Sequence, residues 1–297
     1  MLRALGFPRC PLRMLRVPNR SVADGQAATP VPVSYCVFDG ASARPPLVLL
    51  HGLFGNKGNF ASLAKAIVRR SGRKVLTVDA RNHGDSPHHP LMTYEAMSDD
   101  VRLLLRQLRL DRCVLVGHSM GGRTAMAVAL RWPELVERLL CVDISPSGTS
   151  AVSSLGRLVE ALKAVELPEG VPLSTARRLV QEQLRKDIQD LSVLRFLLTN
   201  LVSAEGRVVW RVNLDAVSRH LDGLTRLPSF EAPYSGPVLF LGGAKSPYIS
   251  SEDFPEIERL FPEAEIEYVP DAGHWVHADQ PQHFVDAVCR FLEQPPS

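Results

Sequence analysis

The stretch Cys113-Val-Leu-Val-Gly-His-Ser-Met-Gly-Gly122 predicts a strand, a sharp turn and the start of a helix. Residues 113–116 form an apolar run that is too short for a helix, and a helical pattern continues over residues 122–130. Ser119 lies between them, with glycine two positions away on either side, at Gly117 and Gly121. Small residues are needed there because a serine on a strained strand-to-helix turn leaves no room for larger ones. We therefore take Ser119 as the candidate nucleophile of a nucleophile elbow.

Short apolar runs alternate with helical patterns on both sides of this stretch. Strands that are joined by helices pair in parallel, and the helices cover both faces of the sheet. We therefore expect an α/β fold with a mostly parallel, doubly wound sheet. The predicted strands are residues 47–50, 75–78, 113–116, 139–142, 238–241 and 266–269.

The alternation stops between Pro146 and Pro228, where helical spacing dominates and no strand pattern is found. We expect an inserted helical cap at about residues 147–228, within a domain that spans residues 31–297. A cap over the strand ends would sequester the substrate and supply much of its pocket. A purely structural appendage is the alternative. The apolar residues at helical spacing are Leu155, Leu158, Leu162 and Val165, and then Val180, Leu184, Ile188 and Leu191.

His274 is the histidine whose place in the chain suits catalysis. A serine hydroxyl is a poor nucleophile at neutral pH and needs a base within hydrogen-bonding reach. His274 lies in Asp271-Ala-Gly-His-Trp275, after the last predicted strand and before the final helix. This loop opens at the same sheet edge as the elbow, because the carboxyl ends of parallel strands share one edge. We therefore expect His274 to be the general base.

Acyl transfer also requires hydrogen-bond donors for the oxyanion that forms in the transition state. The backbone amide of Met120, the residue after the nucleophile, is the first expected donor. The second is expected from the loop His51-Gly-Leu-Phe-Gly55, where Leu53 is the candidate. His51 itself is expected to hold the loop by hydrogen bonds rather than to act as a second base.

Taken in order, four motifs resemble the α/β-hydrolase superfamily over about residues 31–292. Two further segments, Trp210-Arg-Val-Asn-Leu-Asp215 and Gly242-Gly-Ala-Lys-Ser-Pro-Tyr248, are similar to a mitochondrial, lipase-like branch and its small bacterial esterase relatives. This similarity implies acylglycerol or short acyl-ester substrates and an association with the 2-oxoglutarate dehydrogenase complex. The four motifs are His-Gly-Leu-Phe-Gly at 51–55, Asp-Ala-Arg-Asn-His-Gly-Asp-Ser at 79–86, Gly-His-Ser-Met-Gly-Gly at 117–122 and Gly-His-Trp at 273–275.

The acid that should orient His274 is absent from its usual place in the superfamily. That place, at the end of the strand before the histidine strand, lies in residues 236–251, which contain no Asp or Glu. Asp143 is our first candidate, because it ends the next strand after the nucleophile strand at the same sheet edge; its alternative role is to cap a turn. Asp215 is the second candidate, although Asn213 as an N-cap would leave Asp215 in a first helical turn. Asp271 and Asp279 are expected to be turn residues.

The first 30 residues are expected to form a transit peptide and linker. Five arginines precede the first acidic residue, Asp24, and no long apolar segment separates them. An Arg-rich, acid-poor start is typical of mitochondrial targeting and favours the matrix; a disordered basic tail is the alternative. Elsewhere, no uncharged apolar stretch is long enough to span a membrane.

Composition limits the partners, the cellular compartment and the cofactors that we expect. A formal net charge of +2 gives no strong field and therefore does not indicate a nucleic-acid partner. Five widely spaced cysteines suit a reducing compartment, and no cluster has the spacing of a metal site, so we expect neither disulfides nor a cofactor.

The residues predict a serine hydrolase that cleaves carboxylic esters. Thioester or amide cleavage would use the same serine, base and oxyanion donors, so it remains a second hypothesis. The missing acid motivates a third, a catalytically idle scaffold protein on the same fold.

Overall fold

A seven-stranded sheet forms the centre of the part of the chain that the computed structural model describes, residues 29–148 and 152–294. A separate hairpin is formed by β6 and β7. The strands in chain order are β1 (Tyr35–Phe38), β2 (Leu47–Leu50), β3 (Val75–Val78), β4 (Cys113–His118), β5 (Val136–Val142), β6 (Leu201–Ala204), β7 (Arg207–Trp210), β8 (Val238–Gly243) and β9 (Ala264–Val269).

Across the sheet the strand order is β1-β3-β2-β4-β5-β8-β9. Only β1 is antiparallel to its neighbour, β3, and the other pairs are parallel. This arrangement confirms the α/β fold and its mostly parallel sheet. All six predicted strands are present, and four of them are longer than predicted. The edge strand β1 was not predicted, because it has one partner only and its residues are at most half-buried.

The expectation that residues 147–228 contain no strand was wrong. Strands β6 and β7 pair as an antiparallel hairpin around the two residues Glu205 and Gly206. Both of these residues have positive φ, at 50° and 78°. Two-residue turns with this backbone match the twist of a hairpin, but they are usually signalled by Asn-Gly or Asp-Gly, so Glu-Gly gave a weaker signal.

Helices cover both faces of the sheet, as predicted. Helices α1 and α10 pack over one face, where Leu49 and Val116 contribute to the core, and α2 and α3 pack over the other, with Leu115 and Cys141. The helices are α1 (Ala61–Ser71), α2 (Tyr94–Gln107), α3 (Met120–Arg131), α4 (Val152–Lys163), α5 (Leu173–Leu184), α6 (Leu191–Leu198), α7 (Leu214–Leu224), α8 (Phe254–Leu260), α9 (Val276–Asp279) and α10 (Pro281–Glu293).

Between β5 and β8 the chain leaves the sheet and forms helices α4 to α7 with the β6–β7 hairpin. Several side-chain contacts join this insertion to the core, and three of them lie near the strand ends. The Nδ2 of Asn200 donates to the carbonyl oxygen of Phe54 at 2.8 Å, and the guanidinium of Arg123 binds the carbonyl oxygens of Ser147 and Leu224. The insertion therefore lies over the carboxyl ends of the strands. The division of the chain into domains at residues 30 and 31 remains a prediction.

The predicted transit peptide falls almost wholly on residues 1–28, which lie outside the described part of the chain. None of the helices in the described ranges has the length and apolarity to cross a lipid bilayer. The thiols of Cys113, Cys141 and Cys289 are buried in the core.

Candidate active site

Ser119 occupies the turn between β4 and α3 with φ 52° and ψ −119°. A non-glycine residue rarely adopts this backbone, and such strain is found mainly at functional sites. The two glycines are required sterically. A Cβ on Gly117 would come within 2.2 Å of the Gly121 carbonyl oxygen, and a Cβ on Gly121 within 2.3 Å of the Leu50 carbonyl oxygen. The predicted elbow geometry is therefore present at Ser119.

His274 lies in the loop between β9 and α9, and its Nε2 is 3.1 Å from the Oγ of Ser119. The two residues are far apart in sequence, and the shared carboxyl edge of β4 and β9 brings them together. The imidazole is largely enclosed, with 18% of the side chain exposed. A hydrogen bond of this length suits proton transfer from the serine hydroxyl to the imidazole.

Asp143 completes a hydrogen-bonded series with these two residues. Its Oδ2 is 2.7 Å from the Nδ1 of His274, and the carboxylate is buried. Because Nδ1–H donates to Asp143, the lone pair of the neutral ring is on Nε2, facing Ser119. Asp143 follows β5 directly and has φ 49°. The sequence predicted that the orienting acid would lie at this strand end.

Asp143 accepts hydrogen bonds from residues at and just after the end of β8. The superfamily usually has the acid itself at this place. The backbone amide of Gly243 donates to Oδ1 at 2.8 Å, and the hydroxyl of Ser246 donates to Oδ2. Ser246 lies in the segment 236–251, where the superfamily usually has an acid. Two donors on a buried carboxylate offset much of its desolvation cost and fix its direction.

The other aspartates considered for this role lie elsewhere. Asp215 is in the first turn of α7, its side chain is 79% exposed, and its Oδ1 is 3.3 Å from the Nζ of Lys163. Asp271 pairs with Lys245 at 2.8 Å, and Asp279 accepts a hydrogen bond from the Gly273 amide. Of the four aspartates, Asp143 alone contacts His274.

Two aromatic residues and a second histidine hold His274, and sequence reasoning identified none of them. The ring of Tyr248 stacks on the imidazole at 4.0 Å between centroids, and Trp275 contacts it edge-on at 5.5 Å. The Nε2 of His118 donates to the carbonyl oxygen of His274 at 2.8 Å. Their place in the chain was the signal that could have identified two of them, because Trp275 follows His274 directly and His118 precedes Ser119 directly.

The candidate oxyanion donors flank Ser119. Met120 is the first residue of α3, so its amide is among the first-turn N–H groups that lack an intrahelical acceptor. Leu53 lies in the turn after β2 and lines the same cavity as Ser119 and Met120. Both residues therefore border the cavity in which a tetrahedral oxyanion would form, and the role of their amides remains a prediction.

Two buried histidines hold the backbone of the Leu53 loop. His51 donates from Nδ1 to the Gly52 carbonyl oxygen at 2.8 Å and accepts at Nε2 from the Ala80 amide at 3.0 Å. His83 accepts at Nε2 from the Phe54 amide at 3.1 Å. Burial lowers the pKa of His51 and lowers the pKa of His83 to about 3, so both rings are neutral at pH 7. His51 therefore has the structural hydrogen bonds expected of it.

An apolar cavity of about 130 Å³ contains Ser119 and His274, and we call it the serine cavity. Helices of the insertion supply most of its apolar wall. The main aliphatic residues are Ile144, Leu155, Leu158, Leu197, Leu221 and Leu224. Within residues 29–148 and 152–294, no group of three His, Cys, Asp or Glu side chains is arranged to hold a metal ion.

The chain is similar to known proteins in both sequence and structure. Residues 45–281 match the alpha/beta hydrolase fold family. The sn-1-specific diacylglycerol lipase ABHD11 of Mus musculus is 57% identical over 263 residues, which cover 89% of this chain and 86% of that protein. Esterase YbfF of Escherichia coli is 32% identical over 250 residues, covering 83% and 92%. Among solved structures, a marine microorganism esterase has a TM-score of 0.82 at 32% identity, covering 88% and 99%.

Proposed function

Because this chain belongs to the α/β-hydrolase family, we propose that it hydrolyses carboxylic esters through an acyl-enzyme formed on Ser119. The hydrogen-bonded series from Ser119 through His274 to Asp143, at 3.1 and 2.7 Å, carries this proposal. A nucleophile, a base and an orienting carboxylate in this relation are the parts that acyl transfer needs.

In the acylation step, the Oγ of Ser119 attacks the ester carbonyl carbon while its proton passes to the Nε2 of His274. The carbonyl oxygen becomes an oxyanion, which accepts hydrogen bonds from the amides of Leu53 and Met120. The carbon–oxygen bond to the alcohol then breaks, and His274 returns the proton to the departing alkoxide oxygen. Asp143 holds the imidazole in the required tautomer and stabilises its charged form.

In the deacylation step, water takes the place of the alcohol. His274 removes a proton from the water as its oxygen attacks the acyl carbon, and the same two amides stabilise the second oxyanion. The bond from the acyl carbon to the Oγ of Ser119 breaks, and the serine regains its proton from His274. The products are a carboxylic acid and free enzyme, and the step requires no group beyond water.

Acylglycerols or short acyl esters are the substrate class that we propose. The serine cavity is lined by aliphatic side chains of the insertion, which favour an acyl chain over a polar or charged group. The names of two relatives, a diacylglycerol lipase and an esterase, agree with this class. A substrate panel of short esters, diacylglycerols and acyl thioesters, compared by kcat/KM, tests it against thioester cleavage.

A fluorophosphonate probe tests the nucleophile directly. Wild type is expected to be labelled, and Ser119→Ala is expected not to be. The matched control is Ser218→Ala, because Ser218 is half-buried on α7 and does not line the serine cavity, so its loss should leave labelling unchanged. A folded wild type that resists the probe would instead favour the catalytically idle scaffold.

We further propose that the protein works in the mitochondrial matrix. The arginines that precede Asp24 support this location. Association with the 2-oxoglutarate dehydrogenase complex is proposed from the resemblance alone. Import of a full-length fluorescent fusion, compared with a fusion of residues 31–297, tests the targeting role of the first 30 residues.

A further inference from the structure

The amide of Leu53, the second expected oxyanion donor, belongs to a turn that lies against the nucleophile. The backbone amide of Gly55 donates to the carbonyl oxygen of Gly52 at 2.9 Å and closes this turn, residues 52–55, which we call the oxyanion turn. A Cβ built on Gly52 would come within 3.2 Å of the Cβ of Ser119, so the turn packs against the elbow. Within the described part of the chain, the Leu53 amide donates to no acceptor. It is therefore free to bind an oxyanion, provided that the turn holds it in place.

The carbonyl oxygen of Gly52 fixes the direction of the Leu53 amide. The two groups belong to one peptide unit, which is planar, so the N–H cannot turn without the carbonyl. The Gly52 oxygen accepts hydrogen bonds from two donors, the Nδ1 of His51 at 2.8 Å and the amide of Gly55 at 2.9 Å. Both donors must stay in place for the Leu53 amide to keep its direction.

The second of these donors, the Gly55 amide, is held by a residue of the insertion. It shares a planar peptide unit with the carbonyl oxygen of Phe54, and that oxygen accepts a hydrogen bond of 2.8 Å from the Nδ2 of Asn200. No other donor in the described ranges bonds to this oxygen. Asn200 lies between α6 and β6 and is buried, with 1% exposed. A hydrogen bond in such a place is strengthened because water is excluded.

The backbone of Phe54 depends on this support. Its φ is 64°, a value that strains a non-glycine residue and persists only where the surrounding contacts impose it. The Nε2 of His83 accepts from the Phe54 amide at 3.1 Å, and Asn200 donates to the carbonyl oxygen of the same residue. The core therefore holds one side of Phe54 and the insertion holds the other. Loss of the Asn200 hydrogen bond should let the peptide unit of Phe54 and Gly55 rotate toward a less strained backbone.

We propose that Asn200 is a positioning residue for the oxyanion site, which acts through the oxyanion turn to direct the Leu53 amide. The seating of the insertion and the second oxyanion donor are then coupled. Helix α6, which ends just before Asn200, also supplies Phe196 and Leu197 to the wall of the serine cavity. One segment of the insertion therefore shapes the pocket and supports the chemical step. This inference rests on the proposed ester hydrolysis and adds to it a residue that governs the oxyanion donor.

Asn200→Leu tests the proposal, because leucine is close to asparagine in size and cannot donate a hydrogen bond. We expect kcat for ethyl butyrate to fall about tenfold, less than the loss of about 10²- to 10³-fold when an oxyanion donor is removed outright. KM should change less than about twofold, because the donor is used mainly in the transition state. A trifluoromethyl ketone forms an adduct with Ser119 that carries an oxyanion, so its affinity should fall by the same factor as kcat/KM.

Asn213→Ala is the matched control. Asn213 also joins the insertion to the core, because its Nδ2 donates to the Oδ1 of Asn82 at 3.0 Å. None of its hydrogen bonds to described residues reaches the oxyanion turn. Both variants should lower Tm, and only Asn200→Leu should lower kcat and weaken binding of the ketone.

A second variant at the same position covers the case in which Asn200→Leu does not fold. Asn200→Asp keeps the size and polarity of the side chain but places an acceptor against the Phe54 carbonyl oxygen, so the same loss of kcat is expected. Unchanged kcat in a folded variant, or an equal loss in Asn213→Ala, would overturn the proposal and leave ester hydrolysis intact. Wild type that hydrolyses no ester and resists the fluorophosphonate probe would overturn the proposed function, and this inference with it.

Discussion

The backbone amide of Gly243, at the end of β8, donates a hydrogen bond of 2.8 Å to the Oδ1 of Asp143, at the end of β5. Strands β5 and β8 are parallel neighbours, with Val142 opposite Leu241. In this superfamily the triad acid usually lies at the end of the strand that corresponds to β8. Here that strand end contributes a hydrogen-bond donor instead, and the acid lies at the end of the neighbouring strand, β5. The carboxylate still reaches the Nδ1 of His274, because adjacent parallel strands end at the same edge.

Asp143→Asn should lower kcat by about 10⁴-fold, because an amide at this position stabilises the wrong imidazole tautomer. Asp215→Asn should lower kcat less than tenfold, since the Asp215 side chain is exposed and paired with Lys163. Steady-state kinetics on a short acyl ester measures both. The reverse ranking would show that Asp143 is not the orienting acid.

Ser246→Ala should lower kcat about tenfold, because it removes a charge-assisted hydrogen bond from the buried carboxylate of Asp143. The Gly243 donor remains, so the loss should be far smaller than for Asp143→Asn. Ser246→Thr keeps a hydroxyl and serves as the matched control. Equal activity of the alanine and threonine variants would mean that Ser246 does not support Asp143.

Arg123→Met should destabilise the fold by about 3 kcal/mol, seen as a lower Tm. The guanidinium of Arg123 is buried and donates to the carbonyl oxygens of Ser145 at 3.0 Å and Leu224 at 3.1 Å, which lie where the insertion leaves and rejoins the core. Truncation leaves the Ser145 carbonyl oxygen without this donor in a buried place, whereas Leu224 keeps a second donor, the hydroxyl of Tyr94, at 2.7 Å. Arg178→Met, at an exposed i,i+4 pair with Glu182, is the control and should change stability by less than about 0.5 kcal/mol. Similar Tm values for both variants would contradict this role.

Stability should fall as pH is lowered from about 6.5 toward 3. Burial lowers the pKa of His83 from 6.5 to about 3, so in this window the unfolded chain binds a proton that the folded chain does not. Falling pH therefore favours the unfolded state, by up to about 1.4 kcal/mol per pH unit for one histidine. His83→Gln should flatten this dependence in urea unfolding measured at several pH values, whereas His283→Gln, at an exposed position, should not. An equally steep dependence in His83→Gln would assign the effect to other groups.

The sheet and the elbow were predictable because their signals are local. Residues 113–122 contain the strand, the turn glycines and the helix start in sequence, and the apolar runs marked six of the strands. The β6–β7 hairpin was not predicted because Glu205-Gly206 is an uncommon pair for its turn. Strand β1 was not predicted because an edge strand has a weak apolar pattern. Bounds of strands were the least accurate, since a strand extends as far as its neighbour pairs with it.

Ser119 and His274 were predicted as nucleophile and base from the sequence alone, because the residues that impose their geometry are their neighbours in the chain. These are the flanking glycines and the strand and loop before the histidine. The sequence left Asp143 and Asp215 as alternatives, and only the tertiary structure decided which of them contacts His274. The contacts of Tyr248 and Ser246 likewise became visible only there. Each of these depends on which strands pair and on how the loops pack at the sheet edge, and such long-range contacts leave no periodic pattern in the sequence.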